Sequence, residues 1–371
     1  MRFFEWYHRG PAERISQPGA SLVLTRLVPL LLLFYVYDGI LPERIFAAED
    51  RSTAFVTRVE GDVKVFANPS PTAPKTDKKE ATPVLKFDGK FFTEKPVKRG
   101  TKIGPGELIK TGANGKARLI FRNGDQVTVS ENTAYRMSEQ TGGKSMLMGI
   151  IFGDARSVIL PDGPRANMKV QTRSMSMGVR GTDFHVKAWT GTGGSEVTVI
   201  RGAVVVERQA EGPASPAPME VKAGQSAVIK APPPAARPEV SAEAIVVKQT
   251  TQQELVRIQK ATTVTQPPPS PQAATEAKSP DSPVSEDLEK LEEKAVENVM
   301  SDIKRYDPKA YEAIQAKVAE DMGKIVDVDA VNSVSVGKLF DDAPVDASMP
   351  KVQKKDLQMK GDVYDQYQWK K

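Results

Sequence analysis

Cysteine is absent from this 371-residue chain, and histidine occurs only at His8 and His185. Without cysteine there is no disulfide framework, no thiolate metal site and no thiol nucleophile. Histidine-dependent catalysis would rest on His185, because His8 lies in a stretch that reads as a targeting segment. Long apolar runs are also missing. The most apolar one, Leu27 to Tyr37, has 11 residues, whereas a membrane span needs about 20. Nor does one charge sign dominate: 52 Lys and Arg face 47 Asp and Glu, giving a net charge of +5. Interspersed charges of this kind do not form a nucleic-acid footprint.

The N-terminus is organised for export. Arg2, Arg9, Arg14 and Arg26 precede the apolar run, and Asp38, Glu43, Glu49 and Asp50 follow it. Residues 1–48 therefore read as a signal peptide, with Ala47 and Ala48 as candidate cleavage positions, or as a retained membrane anchor. Both readings place the bulk of the chain in the periplasm or cell envelope.

From Phe55 the hydrophobic period becomes two, the mark of half-buried strands. Gly61-Asp62 turns the chain into Val63 to Phe66. Asn123-Gly124 is a hairpin signal joining Gly115–Phe121 to Gln126–Val129. Strand-like runs then recur between turn signals as far as Lys230, without helical periodicity. The fold class is all-β, a sandwich or a solenoid-like stack of short antiparallel strands occupying 54–230.

At Ala231 the composition shifts. Pro232-Pro233-Pro234 and Pro267-Pro268-Pro269 mark 231–284 as a Pro-rich linker, with a weak helix expected over 241–264. Ser285 then caps a helix whose apolar stripe is Leu288, Leu291, Ala295, Val299 and Ile303. Pro308 opens a second helix with Tyr311, Ile314, Val318 and Met322, so 285–327 reads as a helical hairpin. Residues 328–371 read as a polar, mobile tail.

Three turn motifs stand out. Val179-Arg180-Gly181-Thr182-Asp183-Phe184 places a glycine at a bend, where Thr182 can hold the turn by a local hydrogen bond. Phe184 and Val186 then face the core, and His185 faces the other way. Gly202 and Ala223-Gly224-Gln225 mark the next reversals. With Leu108 to Gly112, Ala117-Arg118-Leu119 and Gly124-Asp125-Gln126-Val127, this ordered series resembles the FecR domain, an all-β envelope module. The resemblance covers roughly 55–230. It singles out Gly112, Gly124, Arg180, Gly181, Thr182, Phe184, Gly202, Gly224 and Gln225 as structural motif residues.

The family includes inner-membrane regulators that relay transporter signals to sigma factors, and also envelope proteins without that role. Here about twenty-five residues precede the apolar run, Ala231 onward is Pro-rich, and Arg173 stands where a proline commonly follows the matched threonine, Thr172. The expectation is therefore a non-enzymatic envelope protein whose β-domain binds a protein partner or acts as a scaffold. The alternatives are an anti-sigma signal relay and a peptidoglycan- or anionic-glycan-binding module. The inner membrane is a partner if the anchor is retained, and no nucleic acid is expected.

Asp183, His185 and a serine such as Ser174 are the only candidate triad, and a solvent-facing strand is the simpler reading of His185. Asn123-Gly124-Asp125 and Asp162-Gly163 read as turns, because they lack the alternating ligands of a calcium loop. No metal or cofactor is expected. Met146, Met148, Met168, Met175 and Met177 read as core, with an adaptable binding face as the alternative. Lys95, Lys98, Arg99, Lys102, Lys110, Lys116, Arg118 and Arg122 read as a solvated basic face that could instead contact an anionic glycan.

Overall fold

A computed structural model describes residues 53–73, 83–139, 146–161, 168–191, 193–209, 217–230, 244–264, 283–320 and 328–353. Residues 1–48, read above as a signal peptide or membrane anchor, both Pro-rich stretches and the end of the chain lie outside the described residues.

Among the described residues, eighteen strands form two facing sheets. Sheet A runs β5 (Lys102–Ile103), β1 (Ala54–Glu60), β7 (Lys116–Phe121), β8 (Gln126–Val129), β10 (Met146–Val158), β13 (Asp183–Ala188), β14 (Ser195–Arg201), β17 (Gln225–Ile229) and β18 (Val246–Gln249). Sheet B runs β3 (Val84–Phe87), β4 (Lys90–Lys95), β2 (Val63–Ser70), β6 (Leu108–Thr111), β9 (Ala134–Glu139), β10, β11 (Met168–Gln171), β12 (Met175–Val179), β15 (Ala203–Arg208) and β16 (Met219–Lys222). Alternation along each strand sends one set of side chains between the sheets. Leu119, Val127, Phe184 and Val199 from sheet A meet Val65, Tyr135, Met148 and Val204 from sheet B in one core. Met148, Met168, Met175 and Met177 belong to that core.

Strand β10 belongs to both sheets. Met146 to Phe152 pair with β9 in sheet B, whereas Gly153 to Val158 pair with β13 in sheet A. The switch falls at Gly153, whose φ of 93° is open to glycine and strained for other residues. Corners of this kind let one strand close the edge between two packed sheets.

The C-terminal half departs from the sequence reading in two places. Residues within 244–264 hold β18 and then helix α1 (Gln252–Ala261), so the expected weak helix is preceded by a strand that extends sheet A. Thr251 caps α1 by accepting the Glu254 N–H. Helices α2 (Pro283–Tyr306) and α3 (Pro308–Glu320) follow, with the Asp307 side chain accepting the Ala310 N–H at the start of α3. The expected polar tail instead begins with helix α4 (Val328–Phe340), in which Val328, Val331, Val336 and Phe340 are buried. Its buried face mixes Val328, Val331, Val336 and Phe340 with Asp329, Asn332 and Ser335, so it shows no apolar stripe, and stripe-based reading passes over it.

Helices α1, α2 and α4 cover the outer face of sheet A. Two small apolar clusters anchor them. Val158 packs with Val299, Met300 and Ile303 of α2 and Val331 of α4. Ile200 packs with Leu255 and Ile258 of α1 and Val336 and Phe340 of α4.

Candidate functional site

The motif residues assemble into stacked corners. In the first column the Leu160 N–H donates to the Asp125 carboxylate at 2.9 Å and the Ile159 N–H to the Thr182 carbonyl at 2.9 Å. Gly202 lies against Gly181 and Thr182, then Ala223 N–H donates to the Gly202 carbonyl at 3.1 Å and Thr250 N–H to the Gly224 carbonyl at 2.9 Å. Gly124, Gly181, Gly202 and Gly224 all have positive φ there. Gly112 lies in a second column, donating to the Asp62 carbonyl and accepting from Asn132 N–H. The Gln225 side chain accepts the Lys222 N–H, Phe184 is in the core and Arg180 is exposed. Thr182 departs from expectation: its buried hydroxyl has no hydrogen-bond partner, so its backbone carbonyl and its packing beneath Gly202 hold the bend.

The face opposite the core carries the chain's most unusual chemistry. Strand pairing aligns Arg58, Arg118, Thr128 and Arg156 in one row across sheet A. His185, Thr198, Ser226 and Lys248 continue it. Polar alternation suggests a solvated face, yet Arg118 is 1% exposed and His185 2%. The helices are the reason, and they bring the matching groups. Asp329 of α4 pairs with Arg58 (3.1 Å) and with Arg118, which also reaches the Thr262 carbonyl. Arg156 binds both carboxylate oxygens of Asp183, at 2.8 and 2.7 Å, and the Asn332 carbonyl at 2.9 Å. The Asn332 side-chain amide donates to Gln126 at 3.0 Å. Arg201 donates to Ser335 at 2.8 Å and lies 3.1 Å from Asp302 of α2.

Two sequence expectations are corrected here. His185 and Asp183 are buried in the middle of sheet A, not solvent-facing, and Asp183 is held by Arg156. Ser174 donates instead to Ser195, so the candidate triad is not brought together. Likewise, the basic residues do not form one solvated face. Arg118 and Lys116 point beneath the helices, where Lys116 reaches the Lys260 and Thr263 carbonyls. Lys95 pairs with Glu107 and Arg99 with Glu292. In the Asn123-Gly124 turn, the Asn123 amide donates to Asp125 and Asn298 donates to the Asn123 carbonyl. Among the described residues no group of three or more His, Asp or Glu is placed to hold a metal ion. A separate groove of about 370 Å³ lies beside Phe152 and Trp189, with Glu131, Asn132, Asp154 and Lys187 on its walls.

Burial, reinforced by Arg257, Arg156 and Lys187, holds the His185 imidazole well below its ordinary pKa of 6.5. Burial pushes the Asp154 and Asp302 carboxyls up. A histidine depressed in the folded state leaves stability intact above the unfolded pKa near 6.5 and removes it as pH falls below. Between pH 7.5 and 5 the His185 contribution to stability is therefore expected to fall, by at most about 1.4 kcal/mol per pH unit, with the raised Asp154 and Asp302 carboxyls acting in the opposite sense toward the acid end. His185→Gln should flatten that slope; an unchanged slope would assign it elsewhere.

The residues most engaged at this face, Arg58, Arg156, Arg201, Asp302, Asp329 and Asn332, were not singled out by sequence reasoning. The available signal was the spacing of Asp329, Asn332 and Ser335, three residues apart and therefore on one helical face.

Residues 107–205, from β6 to β15, match the family model described as FecR protein. Two crystal structures of a protein from Parabacteroides distasonis, provisionally named an anti-sigma factor, are similar at 19% identity. The likeness covers 38% of this chain and 59% of theirs, with TM-scores of 0.31 and 0.30. A comparison with curated proteins gave no match.

Proposed function

We propose that this protein is a non-enzymatic regulatory component of the cell envelope whose FecR-type sandwich works by holding protein segments. The observation that carries the reading is the outer face of sheet A, which binds helices of the same chain through Arg58, Arg118, Arg156 and Arg201. A face that recognises backbone carbonyls, carboxylates and amides at once suits a polypeptide ligand. The FecR domain and the export-like N-terminus support an envelope setting. Photocrosslinkers placed in cells at Val205 and Val246, exposed apolar positions on the two sheets, should yield discrete protein adducts. Their absence at both positions would count against partner binding.

The second reading is a transmembrane relay of the anti-sigma type, favoured by the regulators within the FecR family. It needs residues 27–37 to remain as an anchor. N-terminal sequencing of the mature protein separates the two: a start at Ala48 or Glu49 excludes the relay, and retention of residues 1–48 in the membrane fraction favours it.

A further inference from the structure

The two faces of sheet A are built for different lifetimes. The inner face is dominated by apolar side chains, with Ser157 and Ser195 the small polar members, and shares one core with sheet B. The outer face meets the helices through charged and polar groups, and three buried polar atoms there have no hydrogen-bond partner: Arg118 Nη1, Arg201 Nε and Asn332 Oδ1. Buried polar groups left unmatched make an interface weaker than its area implies. Interfaces between separable units are likewise more polar than a core. The apolar part is confined to two clusters centred on Val158 and Ile200.

We infer that the outer face of sheet A is an exchangeable receptor for a helix carrying Asp, Asn and Ser at successive three-residue spacings, and that α4 is its resident occupant. The inference rests on the partner-binding reading and names the chemistry of the partner: a helix whose carboxylate reaches Arg58 and Arg118 and whose next turns meet Arg156, Gln126 and Arg201. While α4 is seated, the receptor is closed, because tethering gives a resident helix an effective concentration in the millimolar range. A competitor succeeds when the tethered helix is weakened or when it offers better-matched polar groups.

Hydrogen exchange on the full chain tests release. Asp329→Asn removes the charge shared by Arg58 and Arg118 and should speed exchange across 328–340 by about ten-fold or more, equivalent to ~1.4 kcal/mol. Strands β12 and β15, in sheet B, should be unchanged. Exchange of 328–340 in step with those strands, in both proteins, would overturn the inference, because α4 would then leave only when the sandwich unfolds. Binding of a fluorescent peptide spanning 326–342 tests the receptor. It should bind the Asp329→Asn chain about ten-fold more tightly than the original chain, and adding Arg118→Gln should abolish the gain. Equal binding to both chains, binding that survives loss of Arg118, or no binding to either would each overturn it. Crosslinked adducts that persist despite such a failure would place the partner on another surface and leave the broader reading standing.

Discussion

Gly153→Ala is expected to destabilise the sandwich by about 3 kcal/mol or more, lowering Tm by roughly 6–12 °C for a domain of this size. Two effects add. At φ 93° an alanine backbone is strained. A Cβ there would also lie 2.3 Å from the Thr133 hydroxyl, 2.5 Å from Thr133 Cα and 2.6 Å from the Asn132 carbonyl. Those backbone atoms cannot yield, because Thr133 also ties the corner together, accepting from Asp154 N–H and donating to its carbonyl. The same strand supplies the control. At Gly149 a Cβ would meet nothing nearer than 3.7 Å, so Gly149→Ala should change stability by less than about 1 kcal/mol. Thermal unfolding of the two variants decides the matter. Equal effects would show that β10 does not depend on a glycine where it changes sheets.

Asp183→Ala is expected to cost about 3–5 kcal/mol, because it leaves the Arg156 guanidinium buried without its bidentate partner. The pair itself adds little net stability, since desolvating two charges offsets most of their attraction. Replacing both groups should therefore recover much of the loss. The double variant Asp183→Leu with Arg156→Met should be closer to the original protein than Asp183→Ala in denaturant unfolding. A double variant as unstable as the single one would mean that Arg156 acts mainly through Asn332 and the helical layer.

Several elements were legible from residue order because their causes are local. Asn123-Gly124 specifies its hairpin through a backbone that favours positive φ, and β7 and β8 pair across it as expected. Alternation along Asp183 to Ala188 correctly divides Phe184 and Val186 from His185. Pro308 opens α3 because a first-turn position needs no N–H. The glycines at 124, 181, 202 and 224 announce turns wherever they occur, since each turn needs a conformation other residues resist.

Other features have no local cause. Nothing near Gly153 says that one strand will serve two sheets, because the switch depends on where β9, β8 and β13 lie. Helix α4 escapes a stripe search because its buried side is part polar, with Asp329 and Ser335 against arginines and Val331 and Val336 in two separate apolar clusters. His185 and Arg118 were placed in water by a sound rule about alternation. That rule states which residues share a face, and it is silent on what covers the face. Residue order thus set the strands, the turns and the two chemically distinct faces of sheet A, because dihedral preference and period-two patterning act over a few residues. Tertiary structure alone turned the polar face into a buried one, because Asp329 meets Arg58 only after a chain separation of 271 residues has been closed.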